Sequence, residues 1–149
     1  MVRRIATGIA AASVLALSVM GTAMAGGAAN VTVTITIINA GDVETFTTDG
    51  GVLCPSGTAS NFFELFGGSG QSRAGSFHGY KVLTCDDNSG TFNITYDAST
   101  VFGAPTDNGG WHIYAGTGAY AGISGGGNLV GTYNDDGIVD SYTGRVQLN

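Results

Sequence analysis

The chain has 149 residues, 5 basic against 11 acidic side chains, a formal net charge of −6 and only 11% charged residues. So acidic a chain lacks the basic footprint that nucleic acids and anionic lipid surfaces require, and both are excluded as partners. The length suits one domain.

Met1-Val2-Arg3-Arg4 is a short basic start, followed by an apolar stretch from Ile9 to Met20 and small residues ending in Ala23-Met24-Ala25. This is the pattern of a helical secretory signal peptide over residues 1–25, cleaved near Ala25-Gly26, which implies a secreted, extracellular protein. The apolar segment is too short for the ~20 residues of a membrane-spanning helix, so no membrane span is expected in the mature chain. Arg3-Arg4 also fits twin-arginine export, which leaves the route open. Removing the leader leaves one domain, residues 26–149, with three basic residues (Arg73, Lys81, Arg145) against eleven acidic ones, a net charge of −8. All three methionines leave with it, so the remaining chain offers no thioether to extracellular oxidants.

Beyond residue 26 helical periodicity gives way to period-two alternation punctuated by glycine, the pattern of half-buried antiparallel strands. Val31–Ile37 is the clearest case, with Val31, Val33, Ile35 and Ile37 on one face and threonines on the other. Ala40-Gly41-Asp42 turns the chain, Val43–Thr48 is a second strand, and Asp49-Gly50-Gly51 turns it again. Cys54-Pro55-Ser56-Gly57 reads as a break, Asn61–Phe66 as a strand, and Gly67–Ser72 as a loop. Ser76–Cys85 and Gly90–Tyr96 form a hairpin across Asp86-Asp87-Asn88-Ser89. Pro105–Gly110 is a loop and Trp111–Ala115 a strand. Asn128–Tyr133 and Ile138–Val146 flank Asn134-Asp135-Asp136-Gly137, a second hairpin. The expectation is an all-β fold, a single antiparallel β-barrel of about eight strands, with a β-sandwich as the alternative. Closure is favoured because it removes exposed strand edges.

Cys54 and Cys85 are an even pair in a chain read as exported, hence a disulfide; free thiols or metal ligands are the alternative. The remaining chemistry is sparse. His78 and His112 are the only histidines. His112 shares a strand face with Tyr114, opposite Trp111 and Ile113, and beside a carboxylate it would serve as a general base; both histidines also read as ordinary strand residues. Glu64, inside Phe62-Phe63-Glu64-Leu65-Phe66, would have a raised pKa and suit acid–base work if buried, whereas simple alternation puts it with Phe62 on the outer face.

Asp86-Asp87-Asn88 lacks the glycine at the sixth position and the closing acid of a calcium loop, so it reads as a turn. Gly116-Thr117-Gly118 has no βαβ context for a dinucleotide, and Ser56 and Ser124 lack a nucleophile elbow. No metal or other cofactor is expected.

Three stretches resemble a group of small secreted bacterial proteins: Cys54–Thr58, Thr84–Phe92 and Gly110–Arg145, with Trp111–Gly122 the most specific part. Gly116-Thr117-Gly118-Ala119-Tyr120 is also similar to an element of the allene-oxide-cyclase and dirigent barrels, with the aromatic one place later than in a tight match. That resemblance implies an eight-stranded antiparallel barrel, often trimeric, with a cavity for an apolar ligand. The cyclases use a carboxylate and polar groups from early strands, and the first strand here offers only threonines; fold alone does not carry function across.

The functional expectation is a binding or interaction module for a small apolar ligand, with Phe62, Trp111, Tyr114 and Tyr120 as candidate contacts, although core packing accounts for aromatics as well. The alternatives are an isomerase or cyclase acting on a hydrophobic substrate through Glu64, His78 or His112, and a structural, envelope-associated protein.

Overall fold

The computed structural model describes residues 31–40, 43–67 and 74–149; the leader read at residues 1–25 lies outside them, as do the side chains of residues 31, 33 and 63–67. Eight antiparallel strands run β1 Val31–Ala40, β2 Val43–Asp49, β3 Ser56–Gly67, β4 Ala74–Cys85, β5 Thr91–Val101, β6 Thr106–Gly116, β7 Ser124–Asn134 and β8 Gly137–Gln147. Each pairs with the next, and β8 returns to β1, where Ile35 faces Tyr142 and Ile37 faces Asp140, closing the barrel. The expected barrel is therefore the observed architecture, and the sandwich alternative falls.

Alternation does the sorting. On β5, Phe92, Ile94, Tyr96, Ala98 and Thr100 are buried, while Asp97, Ser99 and Val101 are exposed. On β6, Trp111 and Ile113 are buried and His112 and Tyr114 exposed, as the sequence pattern requires. Tyr114 is the extra residue of a β-bulge: Asn93 pairs with Ala115 and Ile94 with Ile113, so Tyr114 has no partner on β5.

Three strands are longer than expected because their glycines are not turn residues. The sequence pattern makes Cys54–Gly57 a break and Pro105–Gly110 a loop, and starts the seventh strand only at Asn128. Yet β3 begins at Ser56, β6 at Thr106 and β7 at Ser124. Gly57, Gly109 and Gly127 lie within the sheet, where a Cβ would come within 2.0 Å of Thr84 O, 1.8 Å of Asp97 O and 2.0 Å of Thr143 O respectively. Glycine here makes room for close strand approach and for rings inside the barrel: a Cβ on Gly57 would also strike the Phe46 ring, and one on Gly144 would lie 2.9 Å from Trp111. The two hairpin turns behave as expected. Asn134 pairs with Gly137 across a two-residue loop, and Asn88 adopts a left-handed φ of 60° in the 86–90 turn. There Asp87 Oδ1 accepts from Ser89 N at 2.9 Å and Asp86 Oδ2 from the Ser56 hydroxyl at 2.8 Å. These bonds to Ser89 hold the Asp87 carboxyl below its ordinary value.

The up-and-down order puts the β1–β2, β3–β4, β5–β6 and β7–β8 connections at one end of the barrel and the remaining three at the other. The second end is sealed. Cys54 and Cys85 form a buried disulfide there with Cα atoms 5.9 Å apart. Phe92 packs edge-on between Phe46 and Tyr120, with ring centroids 5.6 and 5.5 Å away. Tyr120 belongs to a single 3₁₀ turn, Gly118–Tyr120, that leaves β6 through Gly116-Thr117-Gly118. Leu53 and Ile123, both buried, complete the seal. Mid-barrel, Tyr142 stands edge-on to Tyr96 and Trp111.

Candidate functional site

Among the described residues the first end is left open. A cavity of about 280 Å³ enters the barrel there, lined by residues near the ends of their strands, among them Asn39 on β1, Glu44 on β2, Asp107 on β6, Tyr133 on β7 and Ile138 on β8. Phe77, Ala98, Leu129 and Ile138 supply an apolar wall. Lys81, Asn61, Tyr96 and Asp140 form a polar lining.

That lining is organised around Lys81, the only lysine in the sequence and 1% exposed. Its ammonium donates to Glu44 Oε2 at 2.8 Å and Asn39 Oδ1 at 3.3 Å, and stands 3.7 Å from Asp140 Oδ2. The Tyr96 ring centroid lies 5.6 Å from it, within cation–π range. Asp140 Oδ2 also accepts from Asn39 Nδ2 at 3.1 Å and the Tyr142 hydroxyl at 3.3 Å. Tyr96 donates to Asn61 Oδ1 at 3.0 Å. Nearer the mouth, Asp107 accepts from Gly131 N at 2.9 Å and the Tyr133 hydroxyl at 3.1 Å.

The register explains the convergence. Asn61 faces Lys81 across β3–β4, Asn39 faces Glu44 across β1–β2, and Ile37 faces Asp140 across β1–β8, all on the inner surface. Directly opposed residues of an antiparallel pair project to the same side.

Burial shapes the electrostatics. It pushes the Asp140 carboxyl above its ordinary value, although Lys81 and the Asn39 amide both pull it down. It also raises the hydroxyls of Tyr96, Tyr142 and Tyr133, with the Asp140 charge adding to each. The three tyrosines therefore stay protonated donors at neutral pH.

For Asp140 the native state binds the proton more tightly than the unfolded chain. Its contribution to stability is fully present below the unfolded value of 3.8 and is lost as pH rises through the elevated native value. Asp140→Asn cannot ionise. Urea unfolding of both proteins from about pH 3 to pH 7 should show the parent losing stability relative to the variant as pH rises. A constant difference would mean that Asp140 titrates normally.

Of the residues singled out from sequence, those with described side chains lie elsewhere. His78 is exposed and hydrogen-bonded to Asp97; His112 is exposed and bonded to Thr95 Oγ1 at 2.8 Å. Neither reaches the cavity, because both sit on the outward phase of their strands. Glu64 is paired in register with His78, and its side chain lies outside the described residues. Phe62 is 51% exposed and stacks on Tyr80 outside the barrel, and Tyr114 is 50% exposed. Trp111 is mid-barrel core and Tyr120 belongs to the sealed end, so none of these four lines the cavity. Core packing, the other explanation for the aromatics, applies to Trp111 and Tyr120.

The residues that do line it carried a legible signal. Lys81 alternates in phase with Phe77, Leu83 and Cys85; Asp140 with Ile138, Tyr142 and Val146; Glu44 with Phe46. A charge on the apolar phase of a strand marks a polar group bound for the interior. Among the described residues, no group of three or more His, Cys, Asp or Glu side chains could hold a metal ion, and no helix is long and apolar enough to cross a membrane.

No family model, curated protein or solved structure matches the chain.

Proposed function

We propose that this protein is an exported β-barrel that holds a small, largely apolar ligand in the open end of the barrel. The observation that carries the reading is the cavity of about 280 Å³, with an apolar wall of Phe77, Ala98, Leu129 and Ile138 above a few fixed polar groups. Small-molecule sites have this composition, and the volume lies at the lower edge of their usual range of ~300–1,000 Å³. At ~30 Å³ for each water in the liquid, it corresponds to about nine waters, so the ligand is of similar size. Export rests on the leader pattern of residues 1–25 and is consistent with the Cys54–Cys85 disulfide.

An NMR titration with toluene tests the cavity. Shifts are expected at the amides of Ala98, Leu129 and Ile138, and Ala98→Leu, which fills the wall, should weaken binding at least tenfold. The melting temperature should stay within a few degrees, since the added carbons enter open space. Absence of binding at millimolar toluene, or binding indifferent to Ala98→Leu in a folded variant, would defeat the reading.

A second reading, an isomerase or cyclase acting on a hydrophobic substrate, is favoured by one observation: the carboxylates of Glu44 and Asp140 reach an otherwise largely apolar cavity. Proton transfer would then fall to these two and not to His78 or His112. Loss of turnover with retained binding in Glu44→Gln would separate it from simple binding.

A further inference from the structure

Resting on the cavity reading above, we propose that the ligand carries a protonated amine as its polar end and that carboxylic acids are excluded from the site. Lys81 is the one cation among the described lining residues. Its ammonium has three N–H donors. Two of them go to Glu44 Oε2 and Asn39 Oδ1, and the ammonium is also ion-paired with Asp140 Oδ2 at 3.7 Å, with Tyr96 beside it. At 1% exposure, the ammonium has two of its three donors given to protein acceptors and its charge already opposed by the carboxylates of Glu44 and Asp140.

What the cavity presents instead is acceptor capacity. Among the described lining residues three are acidic (Glu44, Asp107, Asp140) and one is basic. A carboxylate has two oxygens and about four lone-pair sites. The protein donors on Glu44 converge on Oε2, and those on Asp140 converge on Oδ2. Among the described residues the second oxygen of each has no protein donor, and it is left to accept from the contents of the cavity. Burial makes Asp140 hold its proton more tightly despite the ammonium beside it, and the Asp107 charge adds to this.

An entering carboxylate would lose its hydration, find the ammonium's charge already opposed and face surplus negative charge at low dielectric. A protonated amine meets the opposite situation: free carboxylate oxygens, a compensating charge, and an apolar wall for its hydrocarbon body. A neutral alcohol falls between them, since it can donate one hydrogen bond and brings no charge. The cavity volume is independent of this charge argument and limits the body to about the size of one ring with a short arm.

Four probes of nearly equal shape separate the terms: 2-phenylethylamine, 2-phenylethanol, 3-phenylpropionate and ethylbenzene, titrated at pH 7 and followed at the amides of Ala98, Leu129 and Ile138. The amine should bind at least tenfold tighter than ethylbenzene, the alcohol should be intermediate, and the propionate should be at least tenfold weaker than ethylbenzene. Asp107→Asn, which removes one of the three lining carboxylates, should narrow the ratio of amine to ethylbenzene affinity. If ethylbenzene binds as well as the amine, or the propionate binds best, the head-group assignment is overturned while the apolar cavity stands. If none of the four shifts these amides, the cavity reading itself fails and the assignment fails with it.

Discussion

Replacing Lys81 with methionine is expected to destabilise the protein by about 3–5 kcal/mol, the usual cost of removing one partner from a buried ion pair. The melting temperature of a domain this size should fall by about 10–20 °C. Methionine roughly preserves the volume of the lysine stem, so the loss measures charge and hydrogen bonding more than a cavity. Glu44 Oε2, at 2.8 Å, would lose its donor, Asn39 Oδ1 would lose its donor as well, and Asp140 would lose the charge that offsets its burial. The triple change Lys81→Met, Glu44→Gln and Asp140→Asn should recover most of the deficit, because it removes the stranded charges together with the ammonium. Urea unfolding of the two variants and the parent provides the measurement. A single variant within about 1 kcal/mol of the parent would show that the ammonium is not held in a desolvated network.

Removing the Cys54–Cys85 bridge should cost about 3–4 kcal/mol on the chain-entropy model, given a sequence separation of 31 residues. Cys54→Ala with Cys85→Ala should lower the urea midpoint, and the steeper denaturant dependence of a less restrained unfolded chain should accompany it. Reduction of the parent should raise its mass by two hydrogens and reproduce the effect. The bridge joins the segment entering β3 to the end of β4 at the sealed end, away from the cavity. Toluene binding should therefore survive in whatever fraction remains folded. An unchanged midpoint in the double variant would mean that packing by Phe46, Phe92 and Tyr120 fixes this end without the bridge.

The two changes probe opposite ends of one barrel, and the ends differ in kind. One is apolar, ringed by aromatic edges and covalently tied. The other trades packing for a buried charge network beneath an open cavity. Hydrophobic burial alone would fill the cavity end with side chains, as it does the sealed end. Retaining Lys81, Glu44 and Asp140 there incurs desolvation that well-packed apolar residues would avoid, which supports the ligand site proposed above.

The sequence by itself determined the all-β class, a strand number of about eight and the hairpin turns, because alternation and turn chemistry are local and survive being read one residue at a time. It also determined the cysteine pairing, since two cysteines allow one bridge. Strand lengths around Gly57, Gly109 and Gly127 were hidden: a glycine that admits a neighbouring strand or ring is indistinguishable, in one dimension, from a glycine that turns the chain. The site was hidden for a related reason. Lys81, Glu44, Asn39 and Asp140 come from four strands, and only the register and barrel closure bring them to one place. Glu64, His78 and His112 attracted notice through their residue type or immediate neighbours. Phase on the strand was the better guide, because in a closed barrel it decides which side chains share the interior. Closure, by joining β1 to β8, decided which of those could meet.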